Sequence, residues 1–167
     1  QTAASLASPK LSLILGPWAE TEFYLNLGYG FHSNDARGAV ARQDPGVQPI
    51  INPVSPLSRT RGAELGTRSQ YLPGLNTTLA LWYLHSDSEL VFVGDEGTTE
   101  PTGAGNRYGV EWTNYYRPSD TVTLDADVAF TRSRYTDAPG DADRIPQSVG
   151  QVISAGALYE DPQGWFA

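Results

Sequence analysis

The sequence predicts an all-β protein, an antiparallel up-and-down meander that forms part of a transmembrane β-barrel. Residues 21–33 carry the first sign. Phe23, Leu25, Leu27, Tyr29 and Phe31 take the odd positions, and Glu22, Tyr24, Asn26, Gly28, Gly30 and His32 the even ones. A strand sends successive side chains to opposite faces, so this segment has an apolar face and a mostly polar one. At 13 residues it exceeds the ~9–11 tilted residues that cross a bilayer. The second sign is the spacing of the connections, which alternate short and long. The third is that no run of ~18 apolar residues exists to make a transmembrane helix.

Strand character falls at 10–16, 21–33, 61–69, 76–91, 106–116, 121–134 and 148–159, roughly seven strands. Residues 121–131 alternate as cleanly as the first strand: Val122, Leu124, Ala126, Val128 and Phe130 oppose Thr121, Thr123, Asp125, Asp127, Ala129 and Thr131. In 106–116, Tyr108, Val110 and Trp112 oppose Arg107, Glu111 and Thr113. The segment 76–91 sets Leu79, Leu81 and Tyr83 against Trp82 and Leu84, which leaves its faces open.

The connections 17–20, 70–75, 117–120 and 161–164 are short and turn-like. Between them lie 34–60, 92–105 and 135–147, long and rich in Gly, Pro, Asp and Arg. Tight turns at one end and long loops at the other are the pattern of a bacterial outer-membrane barrel. Trp18, Phe23, Tyr71, Tyr115, Tyr116, Tyr159 and Trp165 cluster near the short turns. Tyr29, Phe31, Tyr83, Phe92, Tyr108 and Phe130 lie nearer the loops. Two such sets read as the aromatic girdles of a membrane barrel, although aromatic residues also favour strands in general.

Composition narrows the classes. The net charge is −8, which argues against a nucleic-acid partner, because phosphate contacts need clustered Lys and Arg. The absence of Cys excludes disulfides and thiolate metal sites. Lys occurs once, at Lys10, which leans away from surface helices. Gln1 is not followed by a signal-peptide pattern.

The stretch Glu22-Phe23-Tyr24-Leu25-Asn26-Leu27-Gly28-Tyr29-Gly30-Phe31-His32-Ser33-Asn34-Asp35-Ala36-Arg37-Gly38 resembles a barrel strand of the TonB-dependent outer-membrane receptors, rising to a Gly-x-Gly-Phe motif at the rim. Arg61-Gly62-Ala63-Glu64-Leu65-Gly66 resembles the next descending strand. Ser88–Asp95 and Arg107-Tyr108-Gly109-Val110-Glu111 resemble the following ones. The resemblance implies outer-membrane localisation and active import of a scarce ligand such as a siderophore, cobalamin or a sugar. It also implies three partners: outer-membrane lipid, a plug domain with further barrel strands, and the TonB complex acting through the plug. Such transporters have about 22 strands, and neither a plug nor a TonB box is found here. Residues 1–167 therefore read as one domain, a partial barrel wall. The alternatives are a passive porin-like channel and a soluble β-sandwich binding module.

No catalytic, cofactor or metal constellation is expected. His32 and His85 are the only histidines, and a metal site needs more ligands converging on one point. There is no Gly-x-Ser-x-Gly, phosphate-binding loop or His-Glu-x-x-His. Asp137, Asp141 and Asp143 lack the spacing of a calcium loop. Glu64, Glu111, Asp125 and Asp127 fall on candidate interior faces, where Arg68, Arg107 or Arg132 could pair with them. The ligand-facing candidates are His32, on the polar face of its strand, and Asp87, Glu89, Asp95 and Glu96, in and below one long loop. A solvated acidic loop is the plainer reading of that last group.

Overall fold

The computed structural model describes residues 5–33, 57–93, 98–138, 143–146, 148–161 and 163–164. The described residues form nine strands: β1 (Lys10–Trp18), β2 (Thr21–Ser33), β3 (Leu57–Ser69), β4 (Leu75–Ser86), β5 (Glu89–Val93), β6 (Thr98–Thr102), β7 (Gly105–Ser119), β8 (Val122–Tyr135) and β9 (Gln151–Tyr159). Seven of them form one antiparallel sheet in the order β1-β2-β3-β4-β7-β8-β9, and β5 pairs with β6 as a separate hairpin. The described strands thus form an all-β meander in which every sheet neighbour is the next strand along the chain, apart from the excursion through the hairpin.

Two boundaries differ from the sequence reading by more than three residues. The segment 76–91 does not run as one strand. β4 stops at Ser86, and the stretch expected to be a loop after residue 91 holds part of the β5–β6 hairpin. β3 starts at Leu57, four residues before the expected Arg61, because Ser58, Arg59 and Thr60 continue the ladder with β2.

The register fixes the faces. Phe23, Thr67, Leu79, Trp112 and Val128 form one cross-strand row. The next row up on the same face is Leu25, Leu65, Leu81, Val110 and Phe130. Leu79, Leu81 and Tyr83 therefore share the apolar face with the outward residues of β2 and β8, and Trp82 and Leu84 lie opposite. These side chains are open: Leu65 is 55% exposed, Leu81 54% and Trp112 51%. By contrast the buried residues Ser58, Gly66, Ala80, Ser86, Gly105 and Ser133 belong to the other face, and the remaining one among the described residues, His85, stands at the loop end of the apolar face. A face whose side chains crowd one another is concave, and one whose side chains splay is convex. The sheet therefore curls with its polar face inward. No second sheet covers the apolar face among the described residues, so the two-layer core of a soluble sandwich is not formed there.

The apolar stripe also slants. On β2 it runs from Phe23 to Phe31, and on β8 from Val122 to Phe130. Yet the row through Phe23 meets β8 at Val128, six residues above the stripe's lower end on that strand. Six residues are ~20 Å along a strand, and the four steps from β2 to β8 span ~19 Å. A stripe that lies level in a bilayer then requires strands leaning about 45°, close to the ~35–45° of membrane barrels.

The short turns are tightly built. Ala19 and Glu20 join β1 to β2 with φ of 48° and 55°. Positive φ at both central residues is the conformation that matches a hairpin to the twist of its strands. Gly74, at φ 79°, closes the β3–β4 turn, and its carbonyl accepts from the Arg117 amide at 2.8 Å. A Cβ at Gly74 would lie 2.3 Å from the Arg117 carbonyl oxygen, so glycine is required for space as well as for φ.

Candidate ligand-facing surface

The inward face is assembled from alternate residues of seven strands. Near its middle a shallow groove is lined by Lys10, Asn26, Gly28, Gly30, Gly62 and Glu64. Three glycines leave its floor bare. Two further inward glycines accept rings from neighbouring strands. Tyr24 lies over Gly66, where an added Cβ would come within 2.4 Å of the ring, and Trp82 lies against Gly109. Glu64 stands diagonally across from Tyr24 on the same face. The Trp82 Nε1 is enclosed and has no partner among the described residues.

Charge is sorted by face. Glu22, Glu64, Glu111, Asp125 and Asp127, the carboxylates of the strands with described side chains, all occupy inward rows. Arg68 Nη2 meets Glu22 Oε2 at 2.5 Å, and Asp127 accepts from Ser154 at 3.3 Å. Arg132 does not take part. It stands opposite Tyr108 in an outward row, so the sheet separates it from the carboxylates that it was expected to pair with. The reason is the alternation of β8, where even-numbered residues face out.

At the loop end the rim is held by small hydroxyl residues. Ser58, 3% exposed, donates to the Ser88 carbonyl at 2.6 Å and accepts from the Ser88 amide at 3.1 Å. The Asp87 amide bonds the Arg59 carbonyl at 3.0 Å. His85 contacts Asn106 Oδ1 through Nδ1 at 2.7 Å, and the Tyr83 hydroxyl donates to the same oxygen at 2.7 Å. Its other nitrogen lies 3.3 Å from Asp87 Oδ1.

Of the ligand-facing candidates, His32 is half-buried on the inward face and opposite Ser58. Since Ser58 holds Ser88, His32 and Asp87 are brought to the same stretch of rim. Asp87 itself is exposed. Glu89 opens β5, and Asp95 and Glu96 lie outside the described residues. The sequence reading passed over Ser58, Ser86, Asn106 and Ser133. The signal available for three of them was modest, a Ser near the loop end of β3, β4 or β8. Among the described residues no group of three His, Asp or Glu could hold a metal ion.

This curved, tilted, two-faced sheet has relatives among solved structures. A copper transporter, OprC, superposes with a TM-score of 0.71 at 15% identity, over 92% of this chain and 24% of its own. The FrpB iron transporter from Neisseria meningitidis (F3-3 variant) gives 0.61 at 16% identity, over 93% of this chain and 24% of its own. This is the barrel-wall fold of the TonB-dependent transporters. The chain spans about a quarter of the length of either. No protein-family profile matches it, and no curated protein does.

Proposed function

We propose that this chain is a section of the barrel wall of an active importer in the bacterial outer membrane. It would draw a scarce ligand through its lumen with energy from the TonB complex, acting through a plug domain. The observation that carries the reading is the sorting of one sheet into two faces. An uncovered apolar face slants as a tilted barrel requires, and behind it stands an inward face of glycines, paired charges and hydrogen-bonding groups. Siderophore-like, cobalamin-like and sugar-like ligands fit the reading. The iron and copper transporters with the same fold make a metal-bearing ligand the first to test. His32, Asp87, Glu89, Asp95 and Glu96 are the proposed ligand-facing residues, at or beside the rim. The bare groove and the enclosed Trp82 Nε1 suit contact with a segment filling the lumen. None of these groups is proposed to do catalysis.

The test is uptake of ferric siderophores by cells that make the full-length protein, with and without a working TonB complex. Uptake that requires TonB supports the reading. Uptake that persists without it marks a passive channel. A full-length protein that stays monodisperse without detergent would overturn both readings.

A further inference from the structure

The β5–β6 hairpin leaves the wall at a single corner. β4 ends at Ser86 and β5 begins at Glu89, so Asp87 and Ser88 alone make the link. Main-chain pairing between β3 and β4 ends at Thr60 and Ser86, and the Asp87 amide adds a last bond to the Arg59 carbonyl. Past that point hydroxyls hold the chain. Ser58 Oγ donates to the Ser88 carbonyl at 2.6 Å and accepts from the Ser88 amide at 3.1 Å. It also accepts from the Ser88 hydroxyl at 3.2 Å. One hydroxyl thus spends its proton and both lone pairs on a single residue. Ser86 Oγ gives the Ser88 carbonyl a second donor at 3.1 Å. Ser58 and Ser86 are both buried, where a lost hydrogen bond leaves its partner unsatisfied.

Little else fixes the hairpin. β5 and β6 pair with each other and with no other strand among the described residues, and an isolated two-stranded hairpin is marginal in water. Its returning arm is met by Thr136, whose amide and hydroxyl reach the Ala104 carbonyl at 2.8 and 3.0 Å. Thr136 is exposed, so water competes for that grip and not for the one at Ser58. The sheet itself does not need the Ser58 hydroxyl, because the β2–β3 ladder runs through the backbone from Thr21 to Ser33.

We infer that Ser58 is a positioning residue for ligand capture. The proposed ligand-facing set is split between two bodies. His32 belongs to the wall, opposite Ser58. Glu89 opens the hairpin, and Asp95 and Glu96 lie between its two strands in the chain. The Ser58 hydroxyl ties one body to the other and so sets where the hairpin acids stand relative to His32. Ser58 itself touches no ligand in this scheme. A hairpin free to swing would present its acids correctly only part of the time, and apparent affinity falls by that fraction. The inference rests on the import reading above.

The experiment uses the full-length protein in lipid, in a cysteine-free background, with nitroxide labels at Ser33→Cys on the wall and Thr99→Cys on β6. Pulsed electron paramagnetic resonance then reads the distance between wall and hairpin. The parent should give one narrow distribution, S58A a broad one, and S86A an intermediate one. Heat-modifiable mobility should be the same in all three, because the ladders remain. Equal narrow distributions in the parent and S58A overturn the inference, and so does a broad one in the parent. The same variants, without labels, are compared in TonB-dependent uptake of a ferric siderophore. S58A should raise the half-saturating concentration about tenfold if the freed hairpin keeps its orientation about a tenth of the time, and should change the maximal rate far less. A broadened hairpin with unaltered half-saturation overturns the role in capture, as does loss of maximal rate alone. Absence of TonB-dependent uptake by the wild type would instead strike the import reading and the capture role with it, while the distances would still decide whether Ser58 aims the hairpin.

Discussion

Leu65, Leu81 and Val110 lie side by side on three strands of the outward face, and the first two stand more than half exposed. One residue along each strand, on the inward face, Gly66 and Ala80 are buried beside Glu111. The backbone is shared, so the difference comes from the side chains alone. Within its apolar stripe the outward face carries side chains of many shapes and no charge, as the lipid contact proposed above would require. The inward face tolerates charge where a partner is in reach, and excludes volume where a ring from the next strand already fills the space. What is forbidden on each face is what the other accepts.

The largest effects should come from violating the outward rule. Leu81→Arg should cost roughly 2–4 kcal/mol if it lies near the bilayer midplane, whereas Asn26→Arg on the inward face should be far milder. Heat-modifiable electrophoretic mobility and denaturant unfolding of the full-length protein in lipid would measure both. Equal damage from the two would break the comparison.

The inward rule is tested by volume. A Cβ at Gly66 would lie 2.4 Å from the Tyr24 ring and 2.7 Å from the Leu79 carbonyl oxygen. Gly66→Ala should therefore cost about 1–3 kcal/mol, the usual range for overpacking. At Gly62 the nearest atom would be 3.5 Å away, and Gly62→Ala should be nearly silent in the same unfolding assay.

A smaller effect sharpens how polar groups survive on the outward face. Trp112 Nε1 donates to Thr77 Oγ1 at 3.0 Å, Thr77 donates to Asn114 Oδ1 at 2.7 Å, and Asn114 Nδ2 donates to the Ala126 carbonyl at 3.1 Å. Each of these donors is used within the protein. Asn114→Ala breaks two links and should cost about 1 kcal/mol. A double-mutant cycle with Trp112→Phe should show coupling, because the two residues share Thr77.

The smallest effect lies in the β1–β2 turn, where both faces end. Ala19 and Glu20 hold positive φ without being glycine or asparagine. Replacing the pair by Asn-Gly should stabilise the protein by roughly 0.5–1 kcal/mol, visible as a higher unfolding midpoint.

The alternation along β2 and β8 announced both the strands and their faces, because period two is written directly in the order of residues. The face assignment of β4 was not legible. Trp82 and Leu84 are apolar but face inward, where glycines on β3 and β7 make room for them, and that room exists only after the strands are paired. Arg132 was misplaced for a related reason: an arginine beside strand-borne acids looks like their partner until the register puts them on opposite sides. The hairpin of β5 and β6 was hidden inside a stretch whose Gly, Pro and Thr content reads as loop. The rim was least legible, since Ser58 and Asn106 acquire roles only through Ser88 and His85, distant in sequence.

The nearest-neighbour order of the sheet has a consequence for how this wall is made. Every ladder of the main sheet joins strands consecutive in the chain, except that between β4 and β7, which the β5–β6 hairpin bridges. Assembly can therefore proceed as a relay, each strand templating the one that follows, with no pairing that must wait for a distant segment. Such local pairing carries little loop-closure entropy except across the longest connection, residues 34–56. The delay in forming the sheet should then fall between β2 and β3. Shortening that connection should speed folding more than any change to the strands themselves.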